Sequence, residues 1–320
     1  MCIRDRKYSA YGLPGSGYLL INDGKGNFSD QTPQQAESFI NLGMITDAQF
    51  IDMDNDKDPD LIVVGEFTGI NLFENQNGSF IKKEHPLMEE RGWWLRAHTV
   101  DVDQDGDLDI VLGNHGKNSR FRTSKERPVK MYLNDFDQNG SVEGVLTFTA
   151  DDGRDFPYAL RHDLIDQMKI LKKKFPDYAS FRDADITAIF DEQQRASALI
   201  QTANNFASGI LINQGNFNFA WRELPQEAQL SPVYAIESVD VDQDGDLDLF
   251  LGGNLFKAKP EVGIYDASYG TYLENTGNGT FQSFKDGKGF SVKGEVRDIK
   301  AINNTLFVFR NNDSIATFKF

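Results

Sequence analysis

Carboxylates at alternate positions are the feature of this sequence most able to do chemistry. The pattern Asp-x-Asp-x-Asp-Gly-Asp-x-Asp occurs at residues 101–109 and again at residues 240–248, and variants occur at residues 52–60 and 135–143. Carboxylates this close repel one another unless a cation lies among them. Hard oxygen ligands with a turn glycine at the sixth position suit Ca²⁺. The four Asp loops therefore predict three or four calcium sites.

The two variant loops depart from the pattern in different ways. In the loop 52–60, Lys57 replaces the sixth-position glycine. A residue other than glycine is strained there if its φ angle is positive, and the ammonium adds a positive charge, so we expect a weaker site. The loop 135–143 keeps the spacing but carries Asn139, Ser141 and Glu143. Its assignment as a calcium loop depends on spacing more than on charge.

These loops allow two interpretations other than calcium binding. Solvated acidic turns with no bound ion are the simpler one, but the combination of spacing and glycine is specific. Catalytic carboxylate pairs are the other, and carboxylates committed to Ca²⁺ are poor general bases. Calcium binding is favoured over both.

The residues after each loop exclude an EF-hand, which needs a bidentate Glu at position twelve. Position twelve is instead Val63, Leu112 or Leu251. A short apolar run ending in glycine follows each of these loops, at residues 61–65, 108–113 and 247–252. Such runs are typical of buried strands. The repeating unit is therefore strand, Asp loop, strand.

A second repeated element is an Asn-Gly-type turn that ends on an aromatic residue. It occurs at residues 75–80 and 275–281, with looser copies at residues 22–28 and 213–217. Alternating apolar residues precede each copy, which is typical of a β-hairpin. The two elements together give about four strands in about 50 residues, a period that indicates propeller blades. The sequence predicts an all-β fold, a β-propeller of about five or six blades or partial blades.

These residues resemble the FG-GAP/VCBS repeat proteins, whose propellers include the integrin α head. The chain is especially similar to the C-terminal part of large Bacteroidetes VCBS-repeat proteins related to the cartilage acidic protein group. Besides the loops and turns, residues 92–94, 113–119 and 163–175 carry the resemblance, which extends from about residue 18 onward.

The resemblance implies how each loop would hold its ion. Side chains at positions one, three, five and nine supply oxygens, and position seven supplies a main-chain carbonyl. The candidate ligands are Asp52, Asp54, Asp56, Asp58 and Asp60; Asp101, Asp103, Asp105, Asp107 and Asp109; Asp135, Asp137, Asn139, Ser141 and Glu143; and Asp240, Asp242, Asp244, Asp246 and Asp248.

The loop spacing also predicts an insertion. The interval between the loops that begin at residues 135 and 240 equals about one blade plus about 55 residues. Residues 151–205 are assigned to a helical insertion, and residues 7–150 and 206–320 to blades, the last ending in a hairpin. Within the insertion, apolar residues recur at helical spacing from Leu160 to Phe175, and Pro176 ends the pattern.

Further helices are expected near residues 184–190 and 192–199, the second with Asp191 as its N-cap. The apolar stripe of residues 160–175 is interpreted as packing, with a partner groove as the alternative. Residues 1–6 resemble the translated read-through of a sequencing adapter, so we expect them, with Cys2, to be foreign to the natural protein. The chain is then expected to be the C-terminal part of a longer protein.

The net charge and the hydropathy indicate which classes of partner the chain disfavours. The net charge is −16, and the three loops with Asp at every odd position hold 15 of the 49 acidic residues. This acidity reflects ion sites and disfavours nucleic acid or a membrane surface as a partner. No run of about 18 apolar residues exists, so no membrane span is predicted.

Other candidate side chains have a packing and a binding interpretation. His98, His115, Trp93 and Trp94 could contact a ligand, and the basic residues of 117–130 could bind an anion. Packed histidines, at least one core tryptophan and a solvated basic loop are the favoured interpretations. We find no catalytic triad, phosphate loop or zinc spacing.

The leading functional hypothesis is a secreted or cell-surface binding or adhesion module for a protein or polysaccharide, with structural Ca²⁺. An extracytoplasmic location is favoured because extracellular Ca²⁺ near millimolar can fill weak sites. The alternatives are a propeller-type polysaccharide lyase or hydrolase, with its site on the axis or in a missing N-terminal part, and a scaffold in a surface uptake assembly.

Overall fold

The computed structural model describes residues 11–258, 262–284 and 289–320. It divides into two compact units. The insert unit contains residues 11–15 and 121–205, and the main unit contains residues 16–120 and 206–320. Residues 1–6, including Cys2, lie outside the described residues.

Strands make up most of the regular structure. In chain order they are β1 (Leu20–Asn22), β2 (Phe28–Asp30), β3 (Met44–Ile51), β4 (Asp60–Thr68), β5 (Asn71–Gln76), β6 (Ser79–Lys83), β7 (Gly92–Trp93), β8 (Arg96–Val100), β9 (Asp109–Gly113), β10 (Val129–Asn134), β11 (Glu143–Thr149), β12 (Asp155–Pro157), β13 (Leu199–Ala203), β14 (Gly209–Asn213), β15 (Phe219–Glu223), β16 (Val233–Val239), β17 (Asp248–Gly253), β18 (Thr271–Asn275), β19 (Phe281–Ser283), β20 (Val296–Ile302), β21 (Thr305–Arg310) and β22 (Ala316–Lys319).

The helices are short. They are α1 (Thr32–Gln35), α2 (Arg161–Gln167), α3 (Leu171–Lys174), α4 (Tyr178–Phe181), α5 (Ile186–Ile189) and α6 (Glu192–Ala196), with 3₁₀ turns at Glu37–Phe39, Pro86–Glu89 and Gln226–Gln229. Among the described residues, no helix has the length and apolar character needed to cross a membrane.

The main unit is a series of antiparallel sheets. They are β1-β2, β3-β4-β5-β6 with β7 added to β4, β8-β9-β14-β15, β16-β17-β18-β19 and β20-β21-β22. Each Asn-Gly-type turn joins two paired strands, at β1-β2, β5-β6, β14-β15 and β18-β19. The all-β, propeller-like fold and the predicted hairpins are confirmed, as is the pairing of β21 with β22 in the tail.

The first strands of four successive sheets contact one another in the order β3, β8, β16, β20. Arg96 on β8 forms ion pairs with Asp47 on β3 at 3.6 Å and with Asp298 on β20 at 3.1 Å. These first strands therefore surround a common axis, as in a propeller.

Hydrophobic cores lie between consecutive sheets. One core joins Ile62 and Leu72 of the β3-β4-β5-β6 sheet to Ile110 and Leu211 of the β8-β9-β14-β15 sheet. Equivalent cores join the β8-β9-β14-β15 sheet to the β16-β17-β18-β19 sheet, and that sheet to the β20-β21-β22 sheet. Because both faces of a central sheet are covered, β4, β9 and β17 are apolar along nearly their whole length rather than at alternate positions.

Residues 121–205 of the insert unit follow β9 in the sequence and precede β14. These two strands pair directly, with Ile110 opposite Leu211 and Leu112 opposite Gly209, so one sheet of the main unit is formed across the insertion. The insert unit contains its own sheet, β12-β11-β10-β13. Residues 129–149, grouped with the preceding blades on sequence, lie in this unit because β13 returns to pair with β10 and the helices pack on β10 and β11.

The helical interpretation of residues 160–175 needs one correction. A single helix does not form: α2 ends before Met168, whose backbone is extended, and α3 begins at Leu171. The apolar stripe is nevertheless buried at Leu164, Met168, Leu171 and Phe175, so its packing role is confirmed. Asp191 caps α6 by accepting the N–H of Gln194 at 2.8 Å, as predicted.

Candidate metal centres

All four Asp loops bend around their first carboxylate. In the loop 101–109, Asp101 accepts the N–H groups of Gln104 at 2.7 Å and Gly106 at 3.1 Å. Asp240 accepts from Gln243 and Gly245 at the same distances. Asp52 makes the equivalent bonds, and Asp135 accepts the N–H groups of Asn139, one residue later in its loop, and Gly140. Each loop thus points its first carboxylate inward.

The sixth position has a left-handed backbone in every loop. The φ angle is 94° at Gly106, 98° at Gly245 and 86° at Gly140, and it is 76° at Lys57. Lys57 therefore occupies the conformation that L-residues disfavour, and the expected strain at that position is present.

Ligand oxygens converge at all four loops. Within each group they lie within 4.8 Å of one another: Asp52, Asp54 and Asp60; Asp101, Asp103 and Asp109; Asp135, Asp137 and Glu143; and Asp240, Asp242 and Asp244. Positions one and three are common to all four groups. The structure thus brings together the first, third and ninth residues of three loops, and the first, third and fifth of the last.

The ninth residue is buried and committed to the main chain. Asp109 accepts the N–H of Val102 at 2.9 Å with one oxygen and the N–H of Asn213 at 2.8 Å with the other. Asp60 and Asp248 make the same two bonds, to Met53 and Asn75 and to Val241 and Asn275. The ninth carboxylate therefore joins its loop to the Asn-Gly-type turn of the same sheet.

The turn asparagine completes this connection with its side chain. Asn213 accepts the N–H of Gly215 at 3.0 Å and donates its Nδ2 to the carbonyl of Leu108, the eighth loop residue, at 3.2 Å. Asn75 and Asn275 make equivalent bonds within their own sheets. The two repeated sequence elements are thus one hydrogen-bonded unit. The sequence alone does not show this connection, because in one sheet the insert unit separates Asp109 from Asn213.

Neighbouring loops of the main unit are also linked. The fourth residue of one loop donates its side-chain amide to the seventh carboxylate of the next: Asn55 to Asp107 at 3.1 Å, and Gln104 to Asp246 at 2.5 Å. The side chains of Asp107 and Asp246 therefore face the adjacent loop. The role of position seven as a main-chain ligand stays a prediction.

Burial of so many carboxylates has an electrostatic cost. Burial raises the pKa of Asp60 and of Asp109 to about 6, and it raises the pKa of Asp248 as well. The pKa of Asp103 is raised by burial and then by the charge of Asp105. A cation among these groups would offset both causes.

The loops fit such a cation, as the carboxylate oxygens of two residues at the third loop position show. Oδ1 of Asp103 and Oδ1 of Asp137 are shielded from solvent and have no hydrogen-bond partner in the described residues. A buried carboxylate oxygen without a donor is unfavourable unless a metal ion satisfies it. Hard anionic oxygens at this spacing are the donors that Ca²⁺ prefers.

The tryptophan and histidine side chains that were candidates for ligand contact are packed. Trp93 and Trp94 are buried, which confirms a core role. His98 lies on β8 with its Nε2 2.9 Å from Ser238 Oγ, and burial lowers its pKa to about 4. Burial also lowers the pKa of His115 to about 4. In the basic segment, Lys117 forms an ion pair with Glu223 at 2.6 Å.

Three sheets of the main unit carry an acidic loop between their first two strands: between β3 and β4, between β8 and β9, and between β16 and β17. Comparison with family models shows that residues 52–112 match the FG-GAP-like repeat family. The matched segment runs from the first Asp loop through the second and into β9. The comparison with curated proteins gives no match.

Proposed function

We propose that this chain is a calcium-stabilised β-propeller module, secreted or on the cell surface, that binds a protein or polysaccharide ligand. The observation that carries the proposal is the joined unit of Asp loop and Asn-Gly-type turn, which occurs in three sheets of the main unit. In each of these three joined units, the carboxylate of the ninth loop residue stabilises the sheet, while the carboxylates of the first and third loop residues converge toward one point. This geometry supports a structural role for the ion.

The extracytoplasmic location and the likeness to VCBS-repeat proteins of Bacteroidetes are part of the same proposal. The FG-GAP-like match over residues 52–112 supports the extracytoplasmic location. Extracellular Ca²⁺ near millimolar would keep even the loop with Lys57 filled. The linked loops 52–60, 101–109 and 240–248 form one continuous edge of the main unit, and other loops of the sheets are left to recognise the ligand.

Two measurements test the proposal. Calorimetric titration of the chelator-treated chain with Ca²⁺ should show at least three binding events, and Mg²⁺ should not replace Ca²⁺ at equal concentration. A glycan array and a surface-protein pull-down, both in Ca²⁺, should then identify a ligand that is retained without turnover. Release of a shortened or unsaturated sugar product would overturn the binding-module proposal in favour of an enzyme.

A further inference from the structure

The fourth residue of an Asp loop is bonded both to its own loop and to the next one. The N–H of Gln104 donates to Oδ1 of Asp101, the first candidate ligand of its loop, at 2.7 Å. The side chain of Gln104 leaves that loop, and its Nε2 donates to Oδ1 of Asp246 at 2.5 Å and to the carbonyl of Gly245 at 2.8 Å. The N–H of Asp246 in turn donates to Oδ1 of Asp244, one of the convergent carboxylates, at 2.9 Å. A continuous series of hydrogen bonds therefore joins a candidate ligand of one loop to a candidate ligand of the next.

The same series joins the first loop of the chain to the second. The N–H of Asn55 donates to Oδ1 of Asp52 at 2.8 Å, and the side-chain Nδ2 of Asn55 donates to Oδ1 of Asp107 at 3.1 Å. The N–H of Asp107 then donates to Oδ1 of Asp105 at 2.9 Å. The arrangement thus recurs between two pairs of neighbouring loops, with Asn at one fourth position and Gln at the other.

The second residue of the loop 101–109 gives a further connection to the next sheet. The side chain of Val102 is buried in the core that contains Leu249 and Leu273 of that sheet. Its carbonyl accepts Nδ2 of Asn275 at 2.8 Å, and the N–H of Asn275 donates to Asp248, the ninth residue of the next loop. The loop is therefore held against its neighbour at two positions, one of which reaches the ninth carboxylate of the neighbour.

We propose that Asn55 and Gln104 are positioning residues that couple Ca²⁺ binding between neighbouring loops, so that filling one loop of the main unit tightens binding at the next. This coupling rests on the proposed function, because it requires the loops to bind Ca²⁺. An ion fixes the carboxylates of its loop, and with them the fourth residue, whose side chain then holds the next loop in place. The next loop loses less conformational freedom when its own ion binds, and the effect is reciprocal.

Repulsion between bound ions opposes this coupling but does not reverse the attraction of a loop for its ion. The loop 101–109 holds five carboxylates, and one Ca²⁺ supplies two positive charges. A filled loop therefore remains negative and still attracts cations to its neighbourhood. At this exposed edge, salt also screens the repulsion between ions. Loss of the amide, a neutral group, changes the hydrogen bonds between loops without changing these charges.

Hydrogen exchange of the full chain at a series of buffered free Ca²⁺ concentrations tests the coupling. For each loop, the Ca²⁺ concentration at half-maximal protection is measured by mass spectrometry. Gln104→Ala should raise this midpoint about threefold to tenfold at residues 240–248, the effect of losing one net hydrogen bond. Asn55→Ala should do the same at residues 101–109. The midpoint of the loop 135–143, which lies in the insert unit, should not change.

Two further variants separate the amide contact from a general loosening of the loops. Gln243→Ala makes the same change at the fourth position of the loop 240–248, where the φ angle is 64°, against 60° at Gln104. In the next sheet, residues 303–304 form a short turn between β20 and β21, in the place of an Asp loop. Gln243→Ala should therefore leave the midpoint at residues 101–109 within about twofold. Gln104→Asn keeps the amide, and Asn55 shows that an asparagine reaches the next loop, so the midpoint at residues 240–248 should also be kept within about twofold.

Failure of the coupling and failure of the proposed function give different results. If the loops gain protection in Ca²⁺ but Gln104→Ala leaves the midpoint at residues 240–248 unchanged, the coupling is overturned and calcium binding stands. A shift in Gln104→Asn as large as that in Gln104→Ala also overturns the role of the amide. If no loop gains protection at any Ca²⁺ concentration, calcium binding itself fails, and the coupling fails with it.

Discussion

The Asp loops of the main unit and the loop of the insert unit share their spacing but differ in what holds them. In the main unit, the ninth carboxylate accepts one N–H from its own loop and another from an Asn-Gly-type turn. In the insert unit, Glu143 accepts the N–H of Phe136 at 3.0 Å, and the helices support the loop from the other side. Gln194 on α6 donates to the carbonyl of Phe136, and Phe136 stacks on Phe190 at 3.7 Å.

This difference separates two roles of an acidic loop. Convergence of the first and third carboxylates follows from local spacing, and all four loops have it. Connection of the loop to a whole sheet requires an asparagine on the third strand, which the three loops of the main unit have. Calcium should therefore stabilise the sheets of the main unit more than it stabilises the insert unit.

Calcium removal should have the largest effect on stability. A site held at a free Ca²⁺ concentration of 100 times its Kd contributes about 2.7 kcal/mol, so three sites give about 8 kcal/mol in the main unit. All three tryptophans, Trp93, Trp94 and Trp221, lie in the main unit. Their fluorescence should report a fall in melting temperature of about 10 °C or more in excess EGTA.

Hydrogen exchange in the same samples measures how much calcium stabilises the main unit compared with the insert unit. Residues of β4, β9 and β17 should lose more protection in EGTA than residues of β10 and β11. An unchanged melt in EGTA would contradict the structural role of calcium. Equal loss of protection in both units would remove the distinction between the two kinds of loop.

Substitution of the ninth residue should have the next largest effect. Asp109→Ala leaves the buried N–H groups of Val102 and Asn213 without an acceptor, which costs about 3–5 kcal/mol in all. Glu143→Ala leaves the N–H of Phe136 without an acceptor and should lower the free energy of unfolding by about 1–3 kcal/mol. Urea denaturation in EGTA measures both without the contribution of calcium.

Asp107→Ala is the matched control for this pair, because the side chain of Asp107 reaches the neighbouring loop rather than its own sheet. It should change the free energy of unfolding by about 0.5 kcal/mol. If Asp107→Ala and Asp109→Ala were equally costly, overall acidity rather than the joined unit would stabilise the sheets.

Acid should destabilise the main unit through a group outside the loops. The pKa of His98 is about 4 in the folded chain and 6.5 when unperturbed, because burial disfavours the charged ring. The unfolded chain therefore binds more protons between these values, and stability falls as the pH decreases from 6.5 to 4, by about 3 kcal/mol at most.

The change of unfolding free energy with pH measures this contribution. His98→Gln should make it shallower over the same window, while His115, whose pKa burial also lowers to about 4, keeps its own contribution and Gln can still hydrogen bond with Ser238. The response of the loops to acid can then be compared between the units without this histidine. An unchanged pH dependence in His98→Gln would contradict its assignment.

The sequence was sufficient for the strand–loop–strand unit because that unit is local. The turn glycine, the alternating aspartates and the apolar run lie within about fifteen residues, and each constrains the backbone directly. The hydrogen bond from Asn213 to Asp109 could not be predicted from the sequence, since the insert unit separates the two strands that this bond joins. The single helix expected over residues 160–175 does not form, because the apolar side chains pack on β10 and β11 from two short helices rather than from one continuous helix.

Within the main unit, Lys57 provides the finest comparison between two loops that are both joined to their sheets. Its φ angle of 76° is strained for a lysine, so Lys57→Gly should stabilise the chain by about 0.5–1 kcal/mol and tighten Ca²⁺ binding at residues 52–60. Gly106→Lys is the reciprocal change, at a φ angle of 94°, and should destabilise by a similar amount. Urea denaturation with and without Ca²⁺ distinguishes the backbone effect, present in both conditions, from the effect of the ammonium charge on the ion. If both substitutions destabilised the chain, the lysine would be making a contact that outweighs its strain, and the two loops would differ in more than their sixth residue.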